Sequence, residues 1–368
     1  MKCICIVKQL VYYIIDMKWT DNNFLMGSYR DFNLCKNKRH AIFDLDGTLV
    51  KTKSGKKFYE NKDDWELFSK NVPNILAKLS SSCTIVIITN QMGMEKGKTD
   101  IDEWKEKVED ICKLIDIPLC ILCSKGNDVY RKPQPTLFNI LNKNSNVQTN
   151  KSFYCGDAMG RKGDHSDTDL KFALNCNLFA ITPEKLFYGK DDLVKSVKYP
   201  DVFKINKQFN IKPEEREMII MVGYPGSGKS HLTKLISDVS IYNHVSVSRD
   251  IFGTIDKCIK RATDLCIMGN SVIIDNTSPS VDDRKKFIDI AKKFKYRCRC
   301  IYVSTDMETS EHNNYNRRYI SGKDLVPKIV YNIFKKKFVC PTTKEGFDEV
   351  LTILPPTPLN LNYTLYYF

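Results

Sequence analysis

A glycine-rich segment, Gly223 to Ser230, constrains the fold of this chain more than any other feature. It reads GYPGSGKS and matches the pattern GxxxxGK[ST] at every fixed position. The apolar run Met218–Val222 precedes it, and the helical pattern His231–Ile236 follows it. The pattern requires this order of strand, loop and helix, because its glycines let backbone N–H groups surround phosphate oxygens at a helix N-terminus. The segment therefore predicts a phosphate-binding α/β domain.

Short aliphatic runs alternate with amphipathic helical stretches along most of the chain, which is typical of parallel sheets. The predicted strands are Ala41–Phe43, Thr84–Ile88, Cys120–Leu122, Ser152–Tyr154, Met218–Val222, Val245–Val247, Ser271–Ile274 and Arg297–Val303. The alternation weakens between residues 188 and 213. We therefore predict two α/β domains, at 39–200 and 215–355. A linker at 201–214, an N-terminal segment at 1–38 and a tail at 356–368 complete the chain.

Composition excludes several classes of protein. Hydrophobic residues make up 42% of the 368 residues, enough for two cores, so the chain is not wholly disordered. It contains no run of 18 uncharged apolar residues, which argues against an integral membrane protein. The 14 cysteines lack framework spacing, which indicates reduced thiols in an intracellular protein. The net charge of +13 favours a polyanionic partner, above all nucleic acid.

A pair of carboxylates marks a first site. Asp44 and Asp46 follow directly on the predicted strand Ala41–Phe43, and Gly47 lets the chain turn away after them. Ligands of parallel sheets bind at such strand ends. One carboxylate can attack phosphorus, and a neighbouring carboxyl can protonate the leaving oxygen and later activate water. Two anions that face a phosphate need Mg²⁺ and a cation to offset repulsion.

Residues that could hold the phosphate and the Mg²⁺ follow in order along the chain. Thr89 and Asn90 end the next predicted strand, and their hydroxyl and amide can hold phosphate oxygens. Lys132 supplies positive charge, and Asp157, just past another strand, supplies an oxygen ligand for Mg²⁺. Either Asp169 or Asp164 could complete the metal shell.

The glycine-rich segment indicates a second site, for ATP. Lys229 reaches the β- and γ-phosphates, and Ser230 reaches a magnesium ion. The other ATP-binding positions of the loop are Gly223, Gly226, Ser227 and Gly228. Asp275 ends an apolar strand and is a candidate second ligand for Mg²⁺.

Further charged residues are candidates for the same reaction. Asp250 follows the strand Val245–Val247 and could accept a proton from a substrate hydroxyl; its alternative role is to cap a helix beginning at residue 251. Arg284 and one of the adjacent pair Arg317 and Arg318 could neutralise a transferring phosphate. Solvated helix faces are the alternative for these arginines.

The order of motifs in the first half resembles the haloacid dehalogenase superfamily, which carries them on a Rossmann-like sheet. By that resemblance Asp44 is the nucleophile and Asp46 the general acid and base. Only 40 residues separate Thr48 from Thr89, and 42 separate Thr89 from Lys132. These gaps are too short for the large cap domain with which relatives enclose small metabolites, so we expect a macromolecular phosphate ester as the substrate.

Both halves together resemble the animal type of polynucleotide 5′-kinase/3′-phosphatase. The motifs that carry this resemblance are FDLDGTL, TNQMG, YRKP, CGDAMGR and FALN in the first half, and GYPGSGKS, SRD, IDNT, HNN and EGF in the second. The family removes 3′-phosphates through an aspartyl-phosphate and phosphorylates 5′-hydroxyls with ATP. By resemblance, Asp44, Asp157 and the backbone carbonyl of Asp46 hold Mg²⁺.

In the second half the resemblance makes Asp250 the residue that activates the 5′-hydroxyl. It places Arg284 near the donor phosphate and makes Arg317 the lid arginine. Animal relatives usually begin with a forkhead-associated domain, and the 43 residues before Asp44 are too few for one.

The expected function is the healing of DNA ends by a monomer that uses Mg²⁺ and ATP, without a membrane. The alternatives are the same activities on RNA termini, a non-catalytic protein that binds nucleic-acid ends, and a kinase/phosphatase of small molecules. The hypothesis of a non-catalytic protein is disfavoured because the chain retains Asp44, Asp46, Lys229 and Asp250. The missing cap and the charge of +13 argue against small molecules.

Overall fold

The computed structural model describes residues 17–34, 37–190 and 211–354. These residues fall into two compact units, the first up to residue 190 and the second from residue 211. Most of the linker predicted at 201–214 and the whole tail predicted at 356–368 lie outside the described residues. None of the helices in the described ranges has the length and apolar character that a membrane span requires.

The first unit is built on a seven-stranded sheet of order β1-β2-β7-β6-β3-β8-β9, whose last five strands are parallel. A separate antiparallel hairpin, β4 and β5, follows the first parallel strand. The strands are β1 Lys18–Asp21, β2 Leu25–Tyr29, β3 His40–Phe43, β4 Val50–Lys51, β5 Glu66–Leu67, β6 Thr84–Asn90, β7 Leu119–Ser124, β8 Phe153–Cys155 and β9 Phe179–Ile181.

Helices cover both faces of this sheet. Buried residues of α1 and α3 pack in one apolar cluster, and those of α4 and α5 pack in another on the opposite side of the strands. The helices are α1 Val72–Ser80, α2 Met92–Glu95, α3 Ile101–Ile115, α4 Thr136–Ser145, α5 Thr168–Asn175 and α6 Pro183–Tyr188. This arrangement positions the carboxyl ends of the parallel strands at one edge of the unit.

Residues 17–34 differ from the prediction of a separate N-terminal segment. β1 and β2 form an antiparallel hairpin, and β2 extends the sheet by pairing with β7. Leu25 and Tyr29 are buried against the sheet. Sequence periodicity missed this strand because glycine and serine interrupt its alternation, and a partner 90 residues later gives it its stability.

The second unit has a five-stranded parallel sheet of order β11-β12-β10-β13-β14. Its strands are β10 Glu217–Val222, β11 Val245–Val247, β12 Val272–Ile274, β13 Arg297–Val303 and β14 Glu349–Ile353. Its helices are α7 Lys229–Val239, α8 Arg249–Phe252, α9 Ile255–Ile267, α10 Val281–Lys293, α11 Met307–Ser321 and α12 Lys328–Lys337. The mainly parallel sheet of the first unit and the parallel sheet of the second confirm the prediction of two α/β domains.

Candidate active sites

The first site lies where the neighbouring strands β3 and β8 end. Asp44 directly follows β3, and Asp157 lies two residues beyond β8. Lys132 approaches from the segment before α4. Its buried Nζ donates to Asp44 Oδ1 at 2.6 Å, to Asp169 Oδ1 at 2.9 Å and to the hydroxyl oxygen of Tyr154 at 2.6 Å. The structure therefore brings residues from four separate parts of the sequence into one charged cluster.

Three carboxylates of this cluster are arranged as metal ligands. Asp44, Asp157 and Asp169 each offer an oxygen, and these oxygens lie within 4.8 Å of one another. Two glycines allow this approach: a Cβ on Gly47 would lie 2.7 Å from the Asp157 carboxylate, and a Cβ on Gly156 would lie 2.5 Å from that of Asp169. Carboxylate oxygens are the donors that Mg²⁺ prefers, so these residues fit the expected ion.

Asp169 and Asp164 were the two candidates for completing the metal shell, and they occupy different positions. Asp169 is buried in the cluster. Asp164 instead accepts hydrogen bonds from the backbone N–H groups of Met159 and Arg161, and from Arg161 Nε. These contacts stabilise the turn after β8, and they leave Asp169 as the candidate ligand.

The cluster carries more negative charge than Lys132 alone can balance. Burial raises the pKa of Asp44 well above its usual range; Lys132 opposes this shift, while Asp169 and Asp157 add to it. Burial, reinforced by Asp169, raises the pKa of Asp157 to about 7. A divalent cation would relieve both the repulsion and the cost of burying these carboxylates, so the electrostatics agree with the geometry.

We expect Mg²⁺ to stabilise the protein more at about pH 8 than at about pH 5.5. The folded pKa of Asp157 lies above its unfolded value of 3.8, so the metal-free folded protein binds more protons than the unfolded chain between these two pKa values. The stability of the metal-free protein therefore falls as the pH rises through about 7. Binding of Mg²⁺ needs the ionised carboxylate, so it becomes stronger over the same range of pH. Thermal unfolding is measured at both pH values, with Mg²⁺ or with a chelator. The rise in Tm that Mg²⁺ causes should be larger at the higher pH by about twofold or more.

The matched control for this prediction is Asp157→Asn, which should lose most of the pH-dependent part of the Mg²⁺ effect. Equal rises in Tm at the two pH values for the wild-type protein would contradict the prediction.

Asp46, the proposed acid and base, is held by donors from three separate parts of the chain. Gln91 Nε2 donates to Asp46 Oδ2 at 2.6 Å, and Lys107 Nζ donates to Asp46 Oδ1 at 3.1 Å. The hydroxyl of Tyr59 also donates to Asp46. The Lys107 ammonium lies 3.0 Å from the centre of the Tyr59 ring. These contacts fix the Asp46 side chain in one orientation.

Sequence reasoning missed Gln91, Lys107 and Tyr59. A signal for Lys107 was present, since it occupies the buried stripe of α3 together with Trp104, Val108 and Ile111. A lysine in an apolar stripe is seldom fully buried unless it has a partner. Its burial lowers the pKa of Lys107, and Asp46 opposes that shift.

Asn90, predicted to hold a phosphate oxygen, uses its side chain to contact Lys132 in this structure. Its side-chain amide forms a reciprocal pair with the backbone of Lys132: Asn90 Oδ1 accepts from the Lys132 N–H at 2.9 Å, and Asn90 Nδ2 donates to the Lys132 carbonyl at 3.2 Å. Asn90 therefore positions Lys132. Thr89 is buried, and its hydroxyl oxygen accepts from Gln91 Nε2 at 3.3 Å.

The second site is the loop between β10 and α7. Gly223, Gly226 and Gly228 have φ angles of +150°, +76° and +102°, a region that favours glycine. Lys229 begins α7, and its Nζ donates to the carbonyls of Gly223 at 2.9 Å and Tyr224 at 2.6 Å. Burial lowers the pKa of Lys229 to about 8; Asp275 and Asp250 oppose this shift, and Arg317 adds to it. The loop has the conformation and the charge to hold phosphate.

Ser230 and Asp275, the predicted ligands for a second Mg²⁺, are hydrogen-bonded to each other. Burial raises the pKa of Asp275, and a hydrogen bond from the Ser230 side chain opposes this shift. A hydroxyl and a carboxylate are oxygen donors that suit Mg²⁺, so this pair also fits the ion.

Asp250 is exposed in the first turn of α8 and lies close enough to act electrostatically on Lys229 and Asp275. The N-cap residue of α8 is Ser248, so the alternative role of Asp250 as the helix cap is wrong.

Arg284, which was predicted to bind ATP, is instead engaged by other residues of the second unit. Its side chain is fully buried. Its Nε and Nη2 both donate to Glu345 at 2.7 Å, and its Nη1 donates to the carbonyls of Ser278, Pro279 and Val339. These contacts engage every nitrogen of the guanidinium, so Arg284 has a structural role.

We expect Arg284→Met to destabilise the second unit by about 3–5 kcal/mol, because it leaves the Glu345 carboxylate without its partner. The double variant Arg284→Met, Glu345→Leu should recover most of this loss. Denaturant unfolding measures both effects. A loss of less than about 1 kcal/mol in the single variant would contradict the structural role.

Arg317 is the member of its pair that the contacts favour for the second site. Its Nη2 donates to Asn314 Oδ1 at 3.0 Å, and its charge contributes to the lowered pKa of the buried Lys229. His312 is buried within the same helix.

Comparison with known families agrees with the division of the chain into two units, each with its own site. Residues 39–187 match the family described as polynucleotide kinase 3 phosphatase, and residues 218–341 match the AAA domain. A polynucleotide 3′-phosphatase of Arabidopsis thaliana is 31% identical over 189 residues, which are 46% of this chain and 27% of that protein.

Two relatives span most of the chain. A bifunctional polynucleotide phosphatase/kinase of Schizosaccharomyces pombe is 36% identical over 354 residues, which cover 91% of this chain and 84% of the relative. A protein of Acanthamoeba polyphaga mimivirus assigned the same pair of activities is 32% identical and is matched over 93% of its length. With both sites present and a relative at this identity matched over most of its length, the chain belongs to the family of bifunctional polynucleotide phosphatase/kinases.

Proposed function

We propose that this enzyme heals nucleic-acid breaks, with DNA as its substrate. The first unit removes 3′-phosphates, and the second phosphorylates 5′-hydroxyls with ATP. The observation that carries the proposal is the presence of two separate phosphate-directed sites in one chain, the Lys132 cluster and the glycine-rich loop. The two products, a 3′-hydroxyl and a 5′-phosphate, are the ends that ligation requires.

In the phosphatase reaction, Asp44 attacks the phosphorus of the 3′-phosphate. A bond forms between the Asp44 carboxylate oxygen and phosphorus while the bond from phosphorus to the 3′-oxygen breaks. Asp46 gives a proton to the departing 3′-oxygen and later takes one from the water that hydrolyses the aspartyl-phosphate. Inorganic phosphate leaves, and Asp44 is regenerated.

The surrounding residues support these roles. Lys132 keeps Asp44 in place and supplies positive charge for the phosphate, and Asn90 fixes the backbone of Lys132. Gln91 and Lys107 hold both oxygens of Asp46, so that it exchanges protons from a fixed position. Asp44, Asp157 and Asp169, together with the backbone carbonyl of Asp46, would hold Mg²⁺, which would offset phosphate charge.

In the kinase reaction, Asp250 accepts the proton of the 5′-hydroxyl as its oxygen attacks the γ-phosphorus of ATP. The bond from that phosphorus to the β–γ bridging oxygen breaks, and ADP leaves. The backbone N–H groups of the loop and Lys229 hold the phosphates, and Arg317 faces the transferring group. Ser230 and Asp275 would hold the Mg²⁺ that offsets the charge of the nucleotide.

The preference for a polymer over a small metabolite is supported by the contents of the two gaps in the first unit. Between Thr48 and Thr89 lie the β4–β5 hairpin and α1, and between Thr89 and Lys132 lie α2, α3 and β7. Neither gap contains a cap domain, so the described part of the site is open to the end of a chain. Neither reaction requires a 2′-hydroxyl, so both are compatible with DNA as the substrate.

The test uses a nicked duplex with a 3′-phosphate and a 5′-hydroxyl at the nick. With Mg²⁺ and labelled ATP, both ends are followed on a gel, and a matched RNA duplex is treated in parallel. Conversion of both DNA ends at a rate at least equal to that of RNA supports the proposal. Faster conversion of RNA would replace DNA with RNA as the substrate, and no reaction on either polymer would contradict the proposed function.

A further inference from the structure

Helix α11 packs its backbone directly against the phosphate loop. A Cβ on Gly226 would lie 2.3 Å from the Ser310 carbonyl oxygen and 3.3 Å from the Asn314 backbone nitrogen. Asn313 Nδ2 also donates to the Gly226 carbonyl at 3.0 Å. The first turns of α11 therefore have a fixed position relative to the loop that is proposed to hold ATP.

Asn314 uses both ends of its buried side-chain amide within this arrangement. Its Oδ1 accepts from the backbone N–H of Val326 at 3.2 Å and from Arg317 Nη2 at 3.0 Å. Its Nδ2 donates to the Val326 carbonyl at 3.0 Å. One side chain thus joins α11 to the segment before α12 and orients the guanidinium of Arg317.

Arg317 has a donor that these contacts do not use. Its Nε is buried and has no hydrogen-bond partner among the residues that the structure describes. Its charge acts on Lys229, so the guanidinium lies within electrostatic range of the phosphate loop. A buried N–H donor on a cation is costly to leave unpaired, and a phosphate oxygen is a suitable acceptor.

We infer that Asn314 is a positioning residue for phosphoryl transfer. It orients the Arg317 side chain toward the phosphate transferred from ATP, and it holds residues 322–327 against α11. This inference rests on the proposed kinase activity. It also gives a role to the HNN motif at residues 312–314: Asn313 holds the loop, and Asn314 holds the arginine that faces it.

The test is a double-variant cycle in the full chain, with 5′-phosphorylation of a DNA strand as the reaction. Asn314→Leu keeps the size of the side chain and removes its hydrogen bonds. We expect it to lower the kinase kcat by about tenfold or more, as for a misplaced catalytic group, while KM for the DNA strand changes less than about threefold. In an Arg317→Ala background the same change should cost less than about threefold.

The matched control is Ser321→Ala on the same helix. Ser321 Oγ donates to the backbone carbonyl of Arg317 at 2.7 Å, a bond that does not involve the guanidinium. We expect its kcat to stay within about twofold of the wild-type value. The 3′-phosphatase activity of each variant checks the first unit.

Three results would overturn the inference: a nearly unchanged kcat in Asn314→Leu, effects of Asn314→Leu and Arg317→Ala that multiply, or an Arg317→Ala enzyme as active as the wild type. If the Asn314→Leu protein does not fold, Asn314→Asp is used in its place, because the aspartate keeps an oxygen acceptor for Arg317. A kcat of Asn314→Asp as low as that of Arg317→Ala would then overturn the inference. Absence of kinase activity in the wild-type protein would instead remove the proposed function itself.

Discussion

Asp44→Asn is expected to lose 3′-phosphatase activity by about 10⁴-fold or more and to retain kinase activity within about twofold. An asparagine amide keeps the shape of the side chain, but it is a poor nucleophile and does not form the aspartyl-phosphate. The buried Lys132 would keep Asp169 as a partner, so the cluster has the means to remain folded. Release of phosphate from a 3′-phosphorylated strand and labelling of a 5′-hydroxyl strand, each measured separately, give the two rates.

The matched control for this variant is Asp110→Asn. Asp110 is exposed on α3 of the same unit and pairs with Lys113 at 3.0 Å. Both activities should be unchanged within about twofold. Loss of kinase activity in a folded Asp44→Asn protein would contradict the assignment of the two reactions to two separate sites.

The reverse pattern is expected for Lys229→Met. Kinase activity should fall by about 10²–10³-fold, as when a preorganised donor to a transferring phosphate is removed, while 3′-phosphatase activity stays within about twofold. Methionine retains the apolar stem of the buried lysine and removes only its ammonium. The loss should appear mainly in kcat, because Lys229 lies at the phosphates whose charge changes during transfer.

Lys234→Met is the matched control for this variant, since Lys234 is exposed on the same helix, α7. It should keep both activities. If Lys229→Met retained kinase activity while ATP binding was unchanged, the role proposed for the loop would be contradicted.

The residues that sequence located best are those whose position is fixed by the end of a strand. Asp44, Asp157 and Asp275 each follow a short apolar run, and a parallel sheet brings such positions to one edge whatever the connections between them. The glycine-rich loop was predicted for the same kind of reason, because its spacing and flanking elements prescribe its conformation.

The residues that sequence missed or misplaced depend on contacts across long separations. Lys107 reaches Asp46 from a helix 61 residues later, and Tyr59 reaches it from the hairpin that follows β3. Local patterns carry no information about such pairs. The β1–β2 hairpin is similar, since its place in the sheet depends on pairing with β7.

Arg284 and Asn90 show a different limit. Sequence identified both as polar side chains in suitable regions, but it did not indicate which partner each would choose. Arg284 binds Glu345 and three backbone carbonyls, and Asn90 binds the backbone of Lys132. A buried polar group must be satisfied by whatever lies beside it, and only the folded chain defines that neighbour.

The pairing of Arg284 with Glu345 also decides where the kinase unit can be cut. Every residue assigned to its reaction lies at or before Arg317, so a fragment that stopped after α12 would contain all of them. Such a fragment would lack Glu345 and the edge strand β14, which pairs with β13. It would therefore expose one side of β13 and leave a buried guanidinium without its carboxylate. A stable isolated kinase unit must extend through Ile353.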